Sequence, residues 1–372
     1  MSSPLAIVHT ESSLGWGGQE IRILAESQGL IRRGHAVRLL APAGARIVAE
    51  AARFGVPVEI LPIERKRPRG LRALSRWFRA NRCDVVNTHS STDSWLASLA
   101  LMTLGRPAPV VRTRHISAPV PKNPASRWLY TRAASRVVTT GDAIRRQLID
   151  ANGFPAERIE SVPTGSDAGR FAPGDRGAAR ALLGLPPEKF LVGIVATLRS
   201  WKGHRYLVDA MARLPERTEL VIVGDGPQRA ALEAQIRELG LGARVRMAGN
   251  RDDVLPWLQA LDVFALPSYA NEGVPQALVQ AMLAGLACVT TTAGSIPELA
   301  LHERTALVVA AQDPAALAAA ITRLAQDPAL RAQLGGLARE HCAGRYTLER
   351  MLDRMEAIFA SVAGRAVLLE RC

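Results

Sequence analysis

The chain has 372 residues, 48% hydrophobic and 22% charged, with a formal net charge of +13. That length exceeds what one core usually organises, and the composition is that of an ordinary globular chain. The charge calls for something anionic and is unevenly placed: residues 1–175 hold 25 Lys and Arg against 14 Asp and Glu, the remainder 22 against 20.

Cys83, Cys288, Cys342 and Cys372 show neither metal-ligand spacing nor a disulfide framework, which favours a reducing compartment. No basic leader precedes the first apolar run, so a cytosolic protein is expected. Residues 5–9 read as a buried strand, followed by Ser13-Leu14-Gly15-Trp16-Gly17-Gly18 and a helix over 19–33. Strand, glycine loop, helix is the layout that brings backbone close to a phosphate. A tight turn needing small residues explains the same loop. The spacing is G-x-G-G, not the dinucleotide fingerprint, and no acid stands at the next strand end, which argues against a nicotinamide dehydrogenase.

Further strands are predicted over 36–40, 58–61, 84–88, 110–113, 136–139 and 158–162, with helical stretches between them. That alternation means a parallel sheet with helices on both faces, whose ligands sit beyond the carboxyl ends of the strands. His9, His89 and His115 each fall at or just past such an end. Three there point to a shared cleft, although any one alone can be structural.

Residues 64–82 carry eight Lys and Arg in nineteen positions, with Leu71, Leu74, Trp77 and Phe78 on one helical face. Such a helix either packs on the sheet with its arginines solvated or lies on an anionic membrane surface. The basic residues lack interleaved aromatics and no reader module follows, so no nucleic-acid partner is expected.

Residues 163–174, dense in Gly, Pro, Ser and Asp, read as a linker. A second alternating series follows, with strands over 190–196, 219–223, 244–248, 262–266, 287–291 and 306–309. The fold class is therefore α/β, with two doubly wound domains. The expected boundaries are 1–168 for the first, 169–345 for the second, and 346–372 for a helical end reaching back to the first.

Four motifs of the second half fall at equivalent strand ends. In Leu198-Arg199-Ser200-Trp201-Lys202-Gly203, two cations three apart could clamp a diphosphate, the Arg as a fork and the Lys as a point charge. Gly224-Asp225-Gly226-Pro227 is a tight turn. Met247-Ala248-Gly249-Asn250 offers small residues against which a flat base can lie. The fourth, within 265–289, breaks at Pro267-Ser268, passes Glu272-Gly273 and enters a helix with Pro275 suited to its first position and Gly285 to a left-handed stop. A helix start is an anion site, and a carboxylate beside it suits hydroxyls, so a nucleotide sugar satisfies both. The uncharged run over 273–297 is interrupted by Pro275, Gln276, Gln280, Gly285 and Gly294, and reads as buried helix and strand in preference to a membrane span. Together the four motifs are expected to line one cleft facing the first domain.

These residues resemble the retaining glycosyltransferases of family 4, over nearly the whole chain: the Gly17-Gly18 loop, the Lys202-Gly203 turn, the Gly224-Asp225-Gly226-Pro227 turn and E-G-x-P at Glu272 to Pro275. The resemblance implies the GT-B fold, two Rossmann-like domains facing across a cleft. It implies that Arg199 and Lys202 bind the donor diphosphate, that Glu272 contacts the donor sugar, and that Gly273 and Val274 face the phosphates. It also places His115 near the reacting centre and the glycine loop over the donor, with Gly224, Met247 and Ala248 completing the donor site. Two departures stand out. The second glutamate of the E-x7-E motif, at the position that binds the ribose hydroxyls in that family, is Gln280, which implies weakened or retuned nucleotide binding, and the G-R-L before the lysine reads Ala196-Thr197-Leu198. No D-x-D pair is present for a catalytic metal, and no cofactor beyond the nucleotide-sugar co-substrate is implied.

The reading is a cytoplasmic enzyme, peripheral to the inner face of the membrane. It moves a sugar from a UDP- or GDP-sugar to a hydroxyl of an envelope glycan or glycolipid resembling a lipopolysaccharide core. An epimerase on the same fold and a non-catalytic nucleotide-sugar-binding relic are the alternatives.

Overall fold

The computed structural model describes residues 3–364. The chain divides into two compact units, one comprising the chain up to Gly165 and again from Leu348, the other Ser166–Thr347. The division thus falls three residues before the expected first boundary and two after the expected second.

The first unit holds a seven-stranded sheet of β1 (Ala6–Thr10), β2 (Ala36–Ala41), β3 (Val58–Ile60), β4 (Val85–Thr88), β5 (Val110–Arg114), β6 (Arg136–Thr139) and β7 (Ile159–Ser161). Its order is β3-β2-β1-β4-β5-β6-β7, and every pairing is parallel. Apolar residues are buried on both of its faces: Ile7 lies opposite Val37 and Val85, all in one core cluster, while Val8 and Val86 pair in another. This is why these strands read as continuous apolar runs and not as alternating ones.

The second unit holds six strands, β8 (Phe190–Val195), β9 (Thr218–Val223), β10 (Val245–Gly249), β11 (Val263–Leu266), β12 (Ala287–Thr290) and β13 (Leu307–Val308), in the order β10-β9-β8-β11-β12-β13, again all parallel. In each sheet the order reverses once, between β1 and β4 and between β8 and β11. Connections there leave in opposite directions and open a crevice at the carboxyl edge, where ligands of such sheets bind. Both switch points carry the residues singled out by sequence.

Two helices settle open questions. The basic helix Pro68–Ala80 buries Leu74, Trp77 and Phe78 against the first sheet's core, and Trp77 Nε1 donates to Glu59 at 2.7 Å. Its apolar face is therefore spent on packing. Arg65, Arg67, Arg69, Arg72, Arg76, Arg79 and Arg82 are exposed. The helix Leu348–Val362 packs Leu352, Met355 and Phe359 into the first unit's core, and Arg33 pairs with Glu349, Asp353 and Glu356 at 2.5, 2.8 and 3.1 Å. Among the described residues no helix is long and apolar enough to cross a membrane, and Cys83, Cys288 and Cys342 are free thiols. Cys372 lies outside the described residues.

Candidate active site

In the second unit the loops after β8 and β11 meet at the switch point. The backbone N–H of Tyr269 donates to the Trp201 carbonyl at 2.9 Å, holding the two loops edge to edge. Lys202 Nζ then reaches Glu272 Oε1 at 2.7 Å, in a charge-assisted bond between side chains 20% and 5% exposed. Sequence placed these two residues in separate motifs with separate tasks, and the fold makes them one unit. Arg199 stands elsewhere: it is exposed, with its guanidinium 5.7 Å from the centre of the Trp201 ring. The Arg199 guanidinium thus lies against Trp201 while the Lys202 ammonium lies against Glu272.

Glu272 leads into the helix Gln276–Leu283, which begins one residue later than expected. Pro275 is its cap, in extended conformation, and not its first helical residue. Gly285 provides the expected left-handed stop at φ +77°, with the Gly285 and Leu286 N–H groups closing on the Met282 and Ala281 carbonyls. The Val274 side chain turns into the core, so only the backbone at Gly273 and Val274 can meet a ligand. Gln280 is buried on the same helix.

The loop after β12 backs this arrangement. Gly294 has φ +55°, and a Cβ there would come 2.0 Å from the Glu272 carbonyl oxygen, so only glycine lets the loop support Glu272 from behind. Among the described residues the buried hydroxyls of Ser268 and Ser295 beside it have no hydrogen-bond partner. In the sequence Ser268 and Gly294 stood out only as breaks in an apolar run, and Ser295 not at all. Their one signal was a small-residue run directly after a predicted strand.

Gly224 is likewise a packing requirement. At φ +144° a Cβ there would lie 2.0 Å from the Ala196 carbonyl oxygen, so the Gly224-Asp225-Gly226-Pro227 turn wedges against the loop that carries Lys202. Leu198 N–H donates to the Asp225 carbonyl at 3.0 Å and fixes that contact. Met247 and Ala248 sit half-buried at the end of β10, where the register shifts between Met247 and Gly249. His204 follows the lysine turn, its ring buried and its pKa pushed down to about 3 by burial and by the Lys202 charge, against the opposing effect of a hydrogen bond to the Ala196 backbone.

In the first unit the three strand-end histidines form a buried chain in place of an open lining. His9 Nδ1 lies 2.9 Å from His89 Nε2, and His89 Nδ1 lies 3.0 Å from His115 Nε2. His9 and His89 are buried, so of the three only His115 keeps part of its surface open. All three are held below the ordinary imidazole range. Burial is the main cause for each; Arg22 adds to it throughout, and Arg112 for His89 and His115. The chain therefore stays neutral at physiological pH.

Gly17 caps the helix Gly18–Arg32, and Gly18 is its first residue. Beneath that loop lies a second group that sequence analysis did not single out. Ser90 and Asp93 form a capping box at the start of the helix Ser91–Thr103, a pattern readable as S-x-x-D, and Glu11 reaches the same hydroxyl.

The geometry agrees with what the chain is similar to. Residues 16–170 match the family model "Glycosyltransferase Family 4", and residues 189–327 match "Glycosyl transferases group 1". The D-inositol 3-phosphate glycosyltransferase of Actinosynnema mirum is 29% identical over 308 residues, covering 74% of this chain and 72% of the relative. Its counterpart in Nocardia farcinica is 30% identical over 305 residues, covering 74% and 66%. Among solved structures, Anabaena Alr3699/HepE in complex with UDP-glucose superposes with TM-score 0.85 at 24% identity, over 96% of this chain and 100% of that one. WaaG, a glycosyltransferase involved in lipopolysaccharide biosynthesis, superposes with TM-score 0.72 at 17% identity, over 96% and 100%. With two parallel-sheet Rossmann-like units and both family models matched in order, the chain belongs to the family 4 glycosyltransferases of the GT-B fold.

Proposed function

We propose that the protein transfers a sugar from a UDP-sugar to a hydroxyl of an anionic envelope glycan or glycolipid, with retention and without a divalent metal. The observation that carries this reading is the Lys202–Glu272 pair beside the helix Gln276–Leu283 at the switch point of the second sheet. A diphosphate takes the lysine and the helix start, and the sugar's hydroxyls take the carboxylate that the lysine has held in place. As the bond from the sugar's anomeric carbon to the diphosphate breaks, negative charge grows on the leaving oxygen. Lys202, the backbone N–H groups after Glu272, and Arg199 swung from Trp201 stabilise it. The acceptor hydroxyl bonds to the same face of that carbon and gives its proton to the departing diphosphate.

The UDP and UDP-glucose bound by the solved relatives support a uridine donor. The names of the curated relatives support a phosphorylated acceptor, which agrees with the excess of positive charge in residues 1–175. The exposed arginines of 65–82 fit the anionic inner surface of the cytoplasmic membrane, through charge alone since their helix has buried its apolar face. His115, at the open end of a neutral chain, serves as a hydrogen-bond partner to the reacting groups and not as a charged acid.

The test is release of UDP from UDP-glucose and other UDP-sugars with a panel of phosphorylated and neutral polyol acceptors, with the product's anomeric configuration read by proton NMR. Acceptor-dependent release with an α product bears the proposal out. Conversion of donor to an isomer without acceptor would identify an epimerase, and binding without turnover a relic.

A further inference from the structure

Glu11 and Asp93 are both buried, and among the described residues no ion pair neutralises either. Asp93 accepts five hydrogen bonds: at 2.6 to 2.9 Å, Oδ2 from Thr10 Oγ1 and the His89 N–H and Oδ1 from the N–H and hydroxyl of Ser90, and at 3.3 Å Oδ1 from the Ser12 hydroxyl. Glu11 Oε1 accepts from the Ser13 N–H at 2.7 Å, and Oε2 accepts from Gln19 Nε2. Glu11 thus holds the start of loop 13–17 to the first turn of the helix Gly18–Arg32, with Gly17 and Gly18 between the two ties.

The hydrogens around Ser90 decide the charge. Its Oγ lies 2.6 Å from Asp93 Oδ1, 2.8 Å from Glu11 Oε1 and 2.7 Å from Ser12 Oγ, and it has one hydrogen and two lone pairs. If both carboxyls were ionised, that one hydrogen would serve one of them and leave the other facing a lone pair at hydrogen-bond distance. One added proton resolves it. Glu11 then donates to Ser90 and Ser90 to Asp93, so both carboxyl contacts of Ser90 have their hydrogen, and the Ser12 hydroxyl stands between Ser90 at 2.7 Å and Asp93 Oδ1 at 3.3 Å. Asp93, with five donors about it, is the better anion.

We propose that Glu11 and Asp93 hold a single proton between them, carried on Glu11, and that this proton latches loop 13–17 to the carboxyl edge of the first sheet. The surroundings agree: burial, then Asp93 and then Glu20 raise Glu11 to about 8; burial raises Asp93 as well, but there the bonds from Ser90, His89 and Thr10, and then the Arg112 charge, oppose it and favour the ionised form. Above that pH the carboxylate repels Asp93 and loses its bond to Ser90, and the loop loosens. The consequence for transfer rests on the donor role of Gly17 and Gly18, but the latch itself does not.

Trp16, inside the loop, reports on it directly, and Glu11→Gln removes the titrating group: its amide can donate to Ser90 only by giving up the Ser13 N–H bond made at the same position, so it serves as the variant that cannot titrate. With fluorotryptophan incorporated and the Trp16 resonance assigned from Trp16→Phe, the wild-type fluorine signal should shift with a midpoint at about pH 8. Glu11→Gln should hold one position throughout. A wild-type signal unmoved between pH 6 and 10 would overturn the proposal, as would a Glu11→Gln signal that shifts with the wild-type midpoint. Neither substrate is present, so failure here leaves the transferase reading standing, and failure of that reading leaves the latch testable.

Discussion

Replacing Lys202 by Met removes the cation from a carboxylate that is 5% exposed and otherwise backed by loop. At 2.7 Å and an effective dielectric constant of about 20, the gross attraction is about 6 kcal/mol, most of which offsets the desolvation of the two charges. What the substitution exposes is the cost of a buried charge left alone, about 3–5 kcal/mol for a fully enclosed pair. Lys202 is one-fifth exposed, so the loss falls to about 2–3 kcal/mol. In a unit of this size each kcal/mol lowers the melting temperature by roughly 2–4 °C, giving a fall of about 4–12 °C. Adding Glu272→Gln removes the stranded charge and should recover most of that fall, while donor binding stays lost. Thermal unfolding of the two single variants and the double variant, closed as a double-mutant cycle, measures the coupling. If Lys202→Met melts within about 1 °C of wild type, or if the double variant is no more stable than Lys202→Met, the pairing that organises the site is wrong.

Gly294→Ala places a methyl 2.0 Å from the Glu272 carbonyl oxygen at φ +55°, so it should abolish sugar-dependent donor affinity in calorimetry while Gly336→Ala, in open space on a helix, leaves it unchanged. His89 is kept from protonating in the folded state, whereas the unfolded chain takes up a proton below about pH 6.5. Its contribution to stability is therefore complete above that pH and lost as pH falls. The folding constant of wild type relative to His89→Gln should drop about tenfold per pH unit below 6.5 in urea titrations, and a pH-independent ratio would contradict the neutral chain. Replacing Arg69, Arg72 and Arg76 together by Glu should abolish sedimentation with phosphatidylglycerol vesicles and leave the melting temperature unchanged within about 2 °C, since all three side chains are exposed.

The alternation of strand and helix was legible because parallel strands are buried on both faces and so stay apolar along their length. The left-handed stop at Gly285 was legible for a local, conformational reason, since glycine takes that backbone without a steric cost. The Lys202–Glu272 pair was not, because it joins residues seventy apart that meet only where the strand order reverses. The same holds for Glu11 and Asp93, which β1 and β4 bring together as neighbours. His9, His89 and His115 were legible as residues near the ends of strands, but their contact with one another and the burial of His9 and His89 were not, because the strand order that brings their side chains together is a property of the fold. For the basic helix, periodicity marked the apolar face but could not say whether protein or lipid covers it, and Trp77 and Phe78 prove to be covered by the sheet's core.

The most direct measurement of the central claim is calorimetric binding of UDP, GDP, ADP and UDP-glucose to wild type and to Glu272→Ala. The account predicts that wild type prefers the uridine nucleotides and binds UDP-glucose more tightly than UDP. Glu272→Ala should keep its affinity for UDP and lose the increment due to glucose. Absence of binding by any nucleotide, or a Glu272→Ala protein that still favours UDP-glucose over UDP, would contradict it.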